Sequence, residues 1–298
     1  MFDAISPSEE TNPDKIVDKV AHDSIETVTD FHLQRSRGTL DLVFSRRNGR
    51  FYPARSFQQG ALKVRFPDLA RSIIPEAVIL NTAGGLAGDD RLDMQVQVDA
   101  DTSAVITSQA CEKVYRALGK PAKVRLKVNL ESGAHLEWLP QPMIFFDGAS
   151  LERQSHVSMA SDATLLMVEG VVFGRTAMGE MVRAGNLSDL ITIRRDTRLI
   201  HVDHFDARDD IGALLDRRAV LDGHRAITTT RYIAPDAETR LDEMRVLLET
   251  SICPAAVSAW DGMLVMRHVA PDSYTLNKEL IRVLTYFRGK PLPRVWSI

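Results

Sequence analysis

Apolar residues at every second position recur along most of this chain, and that period constrains the fold more than any other feature. Leu40, Leu42 and Phe44 alternate with Thr39, Asp41, Val43 and Ser45. Leu92, Met94, Val96 and Val98 alternate with Asp93, Gln95 and Gln97, and Val124, Leu126, Val128 and Leu130 with Lys123, Arg125, Lys127 and Asn129. Ile191 with Ile193, and Ile200 with Val202, repeat it. Successive side chains on a strand point to opposite faces, so this pattern writes strands with one buried face. Ala163 to Phe173 is nearly all apolar, broken only by Glu169 and Gly170, which suits a strand covered on both sides. Asn48-Gly49, Asp222-Gly223 and Asp261-Gly262 read as hairpin turns, because a tight type I′ turn needs positive φ at both central residues. Glu131-Ser132-Gly133 reads as a further turn. No exact repeat motif accompanies the strands, which argues against a propeller or a regular solenoid.

Helical periodicity comes late. Asp236 is positioned to cap a segment carrying Leu241, Met244, Leu247 and Leu248 on one face. Asp272 or Ser273 caps a second, whose stripe is Leu276, Leu280, Val283, Leu284 and Phe287; Gly289 stops it and Pro291 prevents a restart. A shorter turn is expected at Asp210 to Arg218. The expectation is a mostly β, antiparallel-rich structure with two helices in its C-terminal half.

The 298 residues are 44% hydrophobic and 26% charged, close to the globular average, and the formal charge of −3 argues against a nucleic-acid partner. Charge is uneven. Residues 1–30 hold eight acids and two bases, a balance of −6, leaving +3 for the remainder. With few large apolar residues, that start reads as a tail, residues 1–32, ahead of a single β-rich domain over 33–298. The longest run free of Asp, Glu, Lys and Arg is Ala77 to Gly88, twelve residues, too short for a spanning helix. The N-terminus is acidic where a secretory signal would be basic and apolar. Cys111 and Cys253 are far apart and form no CxxC, so neither a disulfide framework nor a thiolate zinc site is expected. A cytoplasmic, soluble protein is the expectation.

Candidate chemistry is sparse. Asn81-Thr82-Ala83-Gly84-Gly85-Leu86-Ala87-Gly88-Asp89-Asp90 resembles a phosphate loop in glycine content but lacks Gly-Lys-Ser/Thr, and strand residues follow it instead of a helix. It reads as a tight turn or an interaction loop. His201 and Asp203 share one strand face while His204 points the other way, so the first two could ligate a metal if a third ligand joined them. Glu137, Asp147, Glu169 and Glu180 could supply a carboxylate pair, with nothing in the spacing to select two. Lys113 could lower the pKa of Cys111, although a half-buried strand cysteine is the plainer reading. Arg175 and Glu180, bracketed by Gly174 and Gly179, could form a fork that pins a loop or faces a partner.

Six segments in series resemble the urease accessory protein D family, called H in some bacteria: SFQQGALKVRFPD from Ser56, ILNTAGGLAGDDRL from Ile79, CEKVYRA from Cys111, LEWLPQPMIFFDGA from Leu136, FGRTAMGE from Phe173 and IRRDTRLIHVDHF from Ile193. Their order matches from about Gly38 to the second C-terminal helix. The chain departs from the family where Gly88-Asp89-Asp90 replaces Gly-Gly-Asp, where Glu112-Lys113 replaces Thr-Lys, and where Gln141-Pro142-Met143 replaces Gln-Glu-Thr.

The resemblance implies an elongated β fold and a non-catalytic chaperone of urease maturation. It implies binding to apo-urease subunits and to accessory proteins F and G, the latter hydrolysing GTP. It also implies nickel passing through an internal passage, with no cofactor held permanently. Motif residues become loop or partner candidates: Gly84, Gly85, Gly88 and Asp89; Lys113, Tyr115 and Arg116; Glu137 and Gln141; Arg175 and Glu180. His201 and Asp203 become weak transit candidates, since carboxylates and imidazoles release nickel where clustered thiolates would hold it. The rival from the residues alone is a β-rich metal-dependent hydrolase using His201 and Asp203. A β-rich ligand-binding module is a further one, although Trp138, Trp260 and Trp296 are dispersed.

Overall fold

A computed structural model of the chain describes residues 35–67, 74–175 and 178–297. The acidic segment 1–32 lies outside the described residues. Two sheets carry the strand alternation. One holds β1 (Arg37–Arg47), β2 (Arg50–Gly60), β5 (Arg91–Val98), β8 (Ala122–Leu130), β11 (Ser150–Met159), β13 (Gly185–Arg195) and β14 (Arg198–Asp209), in the order β14-β13-β11-β8-β5-β1-β2. The other holds β3 (Leu62–Arg65), β4 (Glu76–Asn81), β6 (Ser103–Ser108), β9 (His135–Leu139), β12 (Thr164–Phe173), β15 (Ala226–Ile233), β16 (Ala255–Trp260) and β17 (Met263–Ala270), in the order β16-β17-β15-β12-β9-β6-β4-β3. Short β7 (Lys113–Val114) pairs β10 (Met143–Phe145), which pairs β12.

The sheets are mixed, so the antiparallel-rich expectation holds only in part. From β4 to β13 the chain crosses between sheets strand by strand, so each return lands parallel to the previous strand of its own sheet. Val96 pairs with Val128, Val128 with Val157 and Val157 with Ile193; opposite them Ile106 pairs with Trp138 and Trp138 with Met167. The antiparallel pairs lie toward the sheet edges, β1 with β2, β13 with β14, β3 with β4, and β12-β15-β17-β16. The result is a two-layered coil of about thirty residues per turn, reached without a repeated motif because alternation alone supplies the inward face. Period 2 says which face is buried. It does not say whether the next strand pairs alongside or crosses to the other sheet.

Asn48-Gly49 and Asp261-Gly262 form the expected hairpins, with φ of 52° and 77°, and 49° and 71°. Asp222-Gly223 has the same backbone, 49° and 82°, but follows helix α1 (Ile211–Asp216) and leads into β15, so no hairpin forms there. Glu131-Ser132-Gly133 passes the chain from one sheet to the other.

Two apolar cores follow. Leu40, Leu42, Phe44, Leu126, Leu136, Phe145 and Phe173 fill the space between sheets. On the outer face of the second sheet, Leu166, Val168, Leu264 and Met266 pack under α2 (Leu241–Leu248) and α3 (Ser273–Arg288), against Met244, Leu276, Leu280, Val283, Leu284 and Phe287. Strand β12 belongs to both cores and is buried over nine of its ten residues, as its nearly continuous apolar run implies. Asp272 caps α3 by accepting from the Thr275 amide, and Gly289 ends it at φ 62°. Asp210 caps the short α1. Asp236 does not cap α2. It accepts from the Tyr232 hydroxyl at 2.8 Å, and a 3₁₀ turn at Glu238–Arg240 precedes the helix. No helix among the described residues is long and apolar enough to cross a membrane.

Candidate functional site: a motif face and an interlayer charge row

Segments far apart in sequence meet on one face. The Asn81–Asp90 loop is held by its own first residue: Asn81 Oδ1 accepts from the Ala83 amide at 3.0 Å, and its Nδ2 donates to Gly85 O and to Glu112 Oε1. Leu86 exchanges backbone bonds with the Lys113–Tyr115 segment, at 2.7 and 2.8 Å. Buried Asp90 accepts from the amides of Ala87 and Ser36. Asp89 takes φ 69° and donates its amide to Lys120 O. A side chain at Gly88 would lie 2.7 Å from that same carbonyl. The glycine-rich segment is therefore a packed turn.

Against it stand Tyr115 and Arg116. The Tyr115 hydroxyl donates to Gly84 O at 3.2 Å, and its ring meets Phe146 edge-on at 5.2 Å. Arg116 pairs with Asp147 at 2.9 Å. Asp147 Oδ1 also accepts the Arg183 and Ala184 amides, which hold its pKa below the usual range. Arg175 and Glu180 do pair, through a single contact from Nε at 2.5 Å and not as a two-pronged fork, and the Arg175 guanidinium lies 4.6 Å above the Phe146 ring. Lys113, Leu118, Met178 and Met181 are exposed around this cluster. Three of the motif segments thus close on one another through Phe146 and Asp147.

Glu137 and Gln141 lie elsewhere. Glu137 is 3% exposed, pairs with Arg288 at 2.6 Å and Lys290 at 2.9 Å, and faces His135 at 3.5 Å. Burial alone would raise its pKa, but His135, Arg288 and Lys290 together hold it at about 2. It anchors the end of α3 and offers no surface to a partner. Half-buried Gln141 donates to Val295 O at 3.1 Å and so ties down the C-terminal turn. Cys111 is half-buried, and its burial raises the thiol pKa more than the nearby Lys113 charge lowers it.

His201 and Asp203 do share a face, and it points inward. Arg231 Nε donates to His201 Nε2 at 3.1 Å, and Asp203 Oδ2 receives Arg231 at 2.5 Å and Arg267 at 2.8 Å. Burial and the Arg231 charge bring the His201 pKa down to about 4. Guanidinium groups already take the donor atoms a metal would need, and among the described residues no three of His, Cys, Asp and Glu are grouped to hold an ion. His204 points the other way, with Nε2 3.0 Å from Ser188 Oγ. These residues do not fit the metal-hydrolase arrangement.

They belong to a larger inward row that was only partly anticipated. Arg153 Nε and one terminal nitrogen bind both oxygens of Asp189, at 2.7 and 2.5 Å, and the same nitrogen lies 3.4 Å from Glu169. Two interlayer cavities, of about 320 and 150 Å³, share Arg153, Glu169 and Gly170 in their walls. The larger reaches Asn81, Glu112 and Lys113 beside the motif face; the smaller reaches Asp203, Arg231 and Arg267. The signal for Arg153 and Asp189 was present in the alternation, since Arg153 sits between Leu151 and Val157 on the inward face of β11, and Asp189 between Leu187 and Ile191 on β13.

Fold and site together describe a two-layered β coil whose motif residues build a surface and whose polar interior holds two cavities with a shared wall, an arrangement of the accessory-protein class. Residues 36–297 match the family described as UreD urease accessory protein, and the chain belongs to that family. It is 40% identical over 265 residues to the urease accessory protein UreD of Azorhizobium caulinodans, covering 89% of this chain and 97% of that one. It is 42% identical over 266 residues to that of Rhizobium leguminosarum bv. trifolii, covering 89% and 96%.

Proposed function

We propose that this chain is a non-catalytic scaffold for urease maturation that passes nickel to apo-urease between its two sheets. What supports the reading is the pair of cavities that share a wall at Arg153, Glu169 and Gly170, one reaching the surroundings of Lys113 and the other those of Asp203. Oxygen groups line that route, Glu112, Glu169, Asp189 and Asp203 among them, and such donors bind nickel and let it go, where clustered thiolates would retain it. The motif face, with exposed Tyr115, Leu118, Met178 and Met181 among Arg116, Arg175 and Arg183, is suited to protein contact, because aromatic residues, Met and Arg are enriched in interfaces. Apo-urease subunits and accessory proteins F and G are the partners this reading names, and nickel is the cargo.

Ser155 is 1% exposed and lines the larger cavity near Arg153, so Ser155→Phe adds bulk inside the route without touching the surface. Such a variant should co-purify with urease and the accessory proteins as the parent does, while urease activation falls at least tenfold. Full activation with the cavity filled would rule the route out.

A further inference from the structure

We propose that the larger interlayer cavity is a binding site for an uncharged, mainly apolar small molecule carrying one hydrogen-bonding oxygen, with the size and chemistry of a medium-chain alcohol. The site lies on the route proposed above, but its existence does not rest on that reading. An occupant would close the route.

Volume and walls set the size and class of the ligand. Close-packed interiors leave few voids larger than a water molecule, yet this one holds about 320 Å³. An apolar protein cavity of ~150 Å³ takes up benzene, so there is room here for roughly twelve non-hydrogen atoms. The first sheet supplies Leu92, Leu126 and Leu151 to the walls, and the second supplies Leu62, Ile106 and Trp138. All six are buried. Apolar walls with a few placed polar groups are the usual make-up of a small-molecule site. The cavity opens beside exposed Gln109, Ala110 and Lys113 and ends at Arg153, Ser155 and Glu169 inside the protein.

The ionic groups along it already answer one another. Arg153 forks onto Asp189, and Glu169 is met by Arg153, by Trp138 and by the buried Arg231 charge. At the mouth, Glu112 accepts from Asn81 and stands beside the Lys113 charge. An ionic ligand would give up its hydration and find no net charge of opposite sign in return. Ser155 Oγ is different. It is buried on the cavity wall and has no hydrogen-bond partner. A buried hydroxyl left alone is costly, and a single neutral oxygen on the ligand would meet it while the apolar remainder covers the leucine and isoleucine walls.

The test is calorimetry of the full chain with 1-octanol. The parent should bind one equivalent, and affinity should rise about fourfold per methylene from 1-hexanol to 1-decanol, the gain for each CH₂ removed from water. Octanoate, the charged counterpart, should bind at least tenfold more weakly than 1-octanol. Ser155→Ala removes the hydroxyl alone and should weaken 1-octanol several-fold. Ser155→Phe fills the cavity and should abolish binding; Val124→Phe, on the same wall, takes its place if that protein does not fold. A parent that takes up no 1-octanol overturns the proposal. So does an affinity indifferent to chain length, octanoate bound as tightly as the alcohol, or binding that survives in a folded cavity-filling variant. Melting of the parent with and without 1-octanol reads the same linkage, since a ligand that binds only the native state raises its stability. None of these readouts uses urease or nickel, so failure of this site and failure of the route are separate results.

Discussion

Gly84 and Gly85 are neighbours with different requirements. Both have positive φ, 77° and 149°. A side-chain carbon at Gly84 would meet nothing within 4 Å, whereas one at Gly85 would stand 2.4 Å from the Tyr115 ring and 2.9 Å from Lys113 O. Gly84→Ala should therefore cost about 1 kcal/mol for its backbone angle alone. Gly85→Ala should cost more, about 1–3 kcal/mol of backbone strain plus displacement of Tyr115 from the motif face. Thermal melting of the two variants checks this, and equal melting temperatures would refute the close-approach argument. The glycine-rich composition pointed to a strained turn; which glycine is pressed against Tyr115 depends on a contact from 30 residues away.

The last helix shows the same division at the scale of an element. Its cap at Asp272, its apolar stripe and its stop at Gly289 are local, and all three form as the spacing predicts. What locks it down is distant. Arg288 at its end reaches Glu137, Arg240 stacks on Phe287 with its guanidinium 3.7 Å from the ring centre, and Trp296 beyond it is 2% exposed and donates to Leu139 O at 3.1 Å. Trp296→Ala should destabilise the protein by about 3–5 kcal/mol through the cavity it leaves, while Leu139 O keeps its bond from the Thr107 hydroxyl at 2.7 Å. Urea denaturation measures it, and a loss under about 1 kcal/mol would show that the C-terminal turn contributes little.

For the molecule as a whole, acid is the informative stress. Burial brings the His268 pKa from 6.5 down to about 4, with 0% of the residue exposed and neither ring nitrogen hydrogen-bonded. The native state keeps this imidazole neutral, while the unfolded chain takes up a proton below about 6.5. Stability is thus lost as pH falls from 6.5 to 4, by about 3 kcal/mol at about 1.4 kcal/mol per pKa unit. Glu137, held near 2, acts lower: its contribution is complete above 4.5 and is lost as pH falls from there through 2. Stability should therefore begin to drop near pH 6.5, before the carboxylates titrate. Denaturation midpoints across pH 4–7 test this, with His268→Leu flattening the upper arm; an unchanged slope in that variant would exclude His268 as its source.

Strand positions, buried faces, two hairpins and the capped last helix are local properties, set by side-chain period and by residues that tolerate positive φ, and one sequence suffices to read them. The motif segments likewise marked their own importance, and their resemblance led to the family. Only the tertiary structure decided that consecutive strands cross between sheets and return in parallel, because alternation is identical for a strand that pairs alongside and one that crosses over. It alone decided that Glu137 is an anchor under a helix while Arg175 lies on a surface, since both are charged residues in recognisable motifs and differ in what packs above them. It also decided that Arg153, Asp189 and Glu169 meet, because inward positions 36 residues apart on neighbouring strands of one sheet, and one on the facing sheet, become neighbours only when the coil closes.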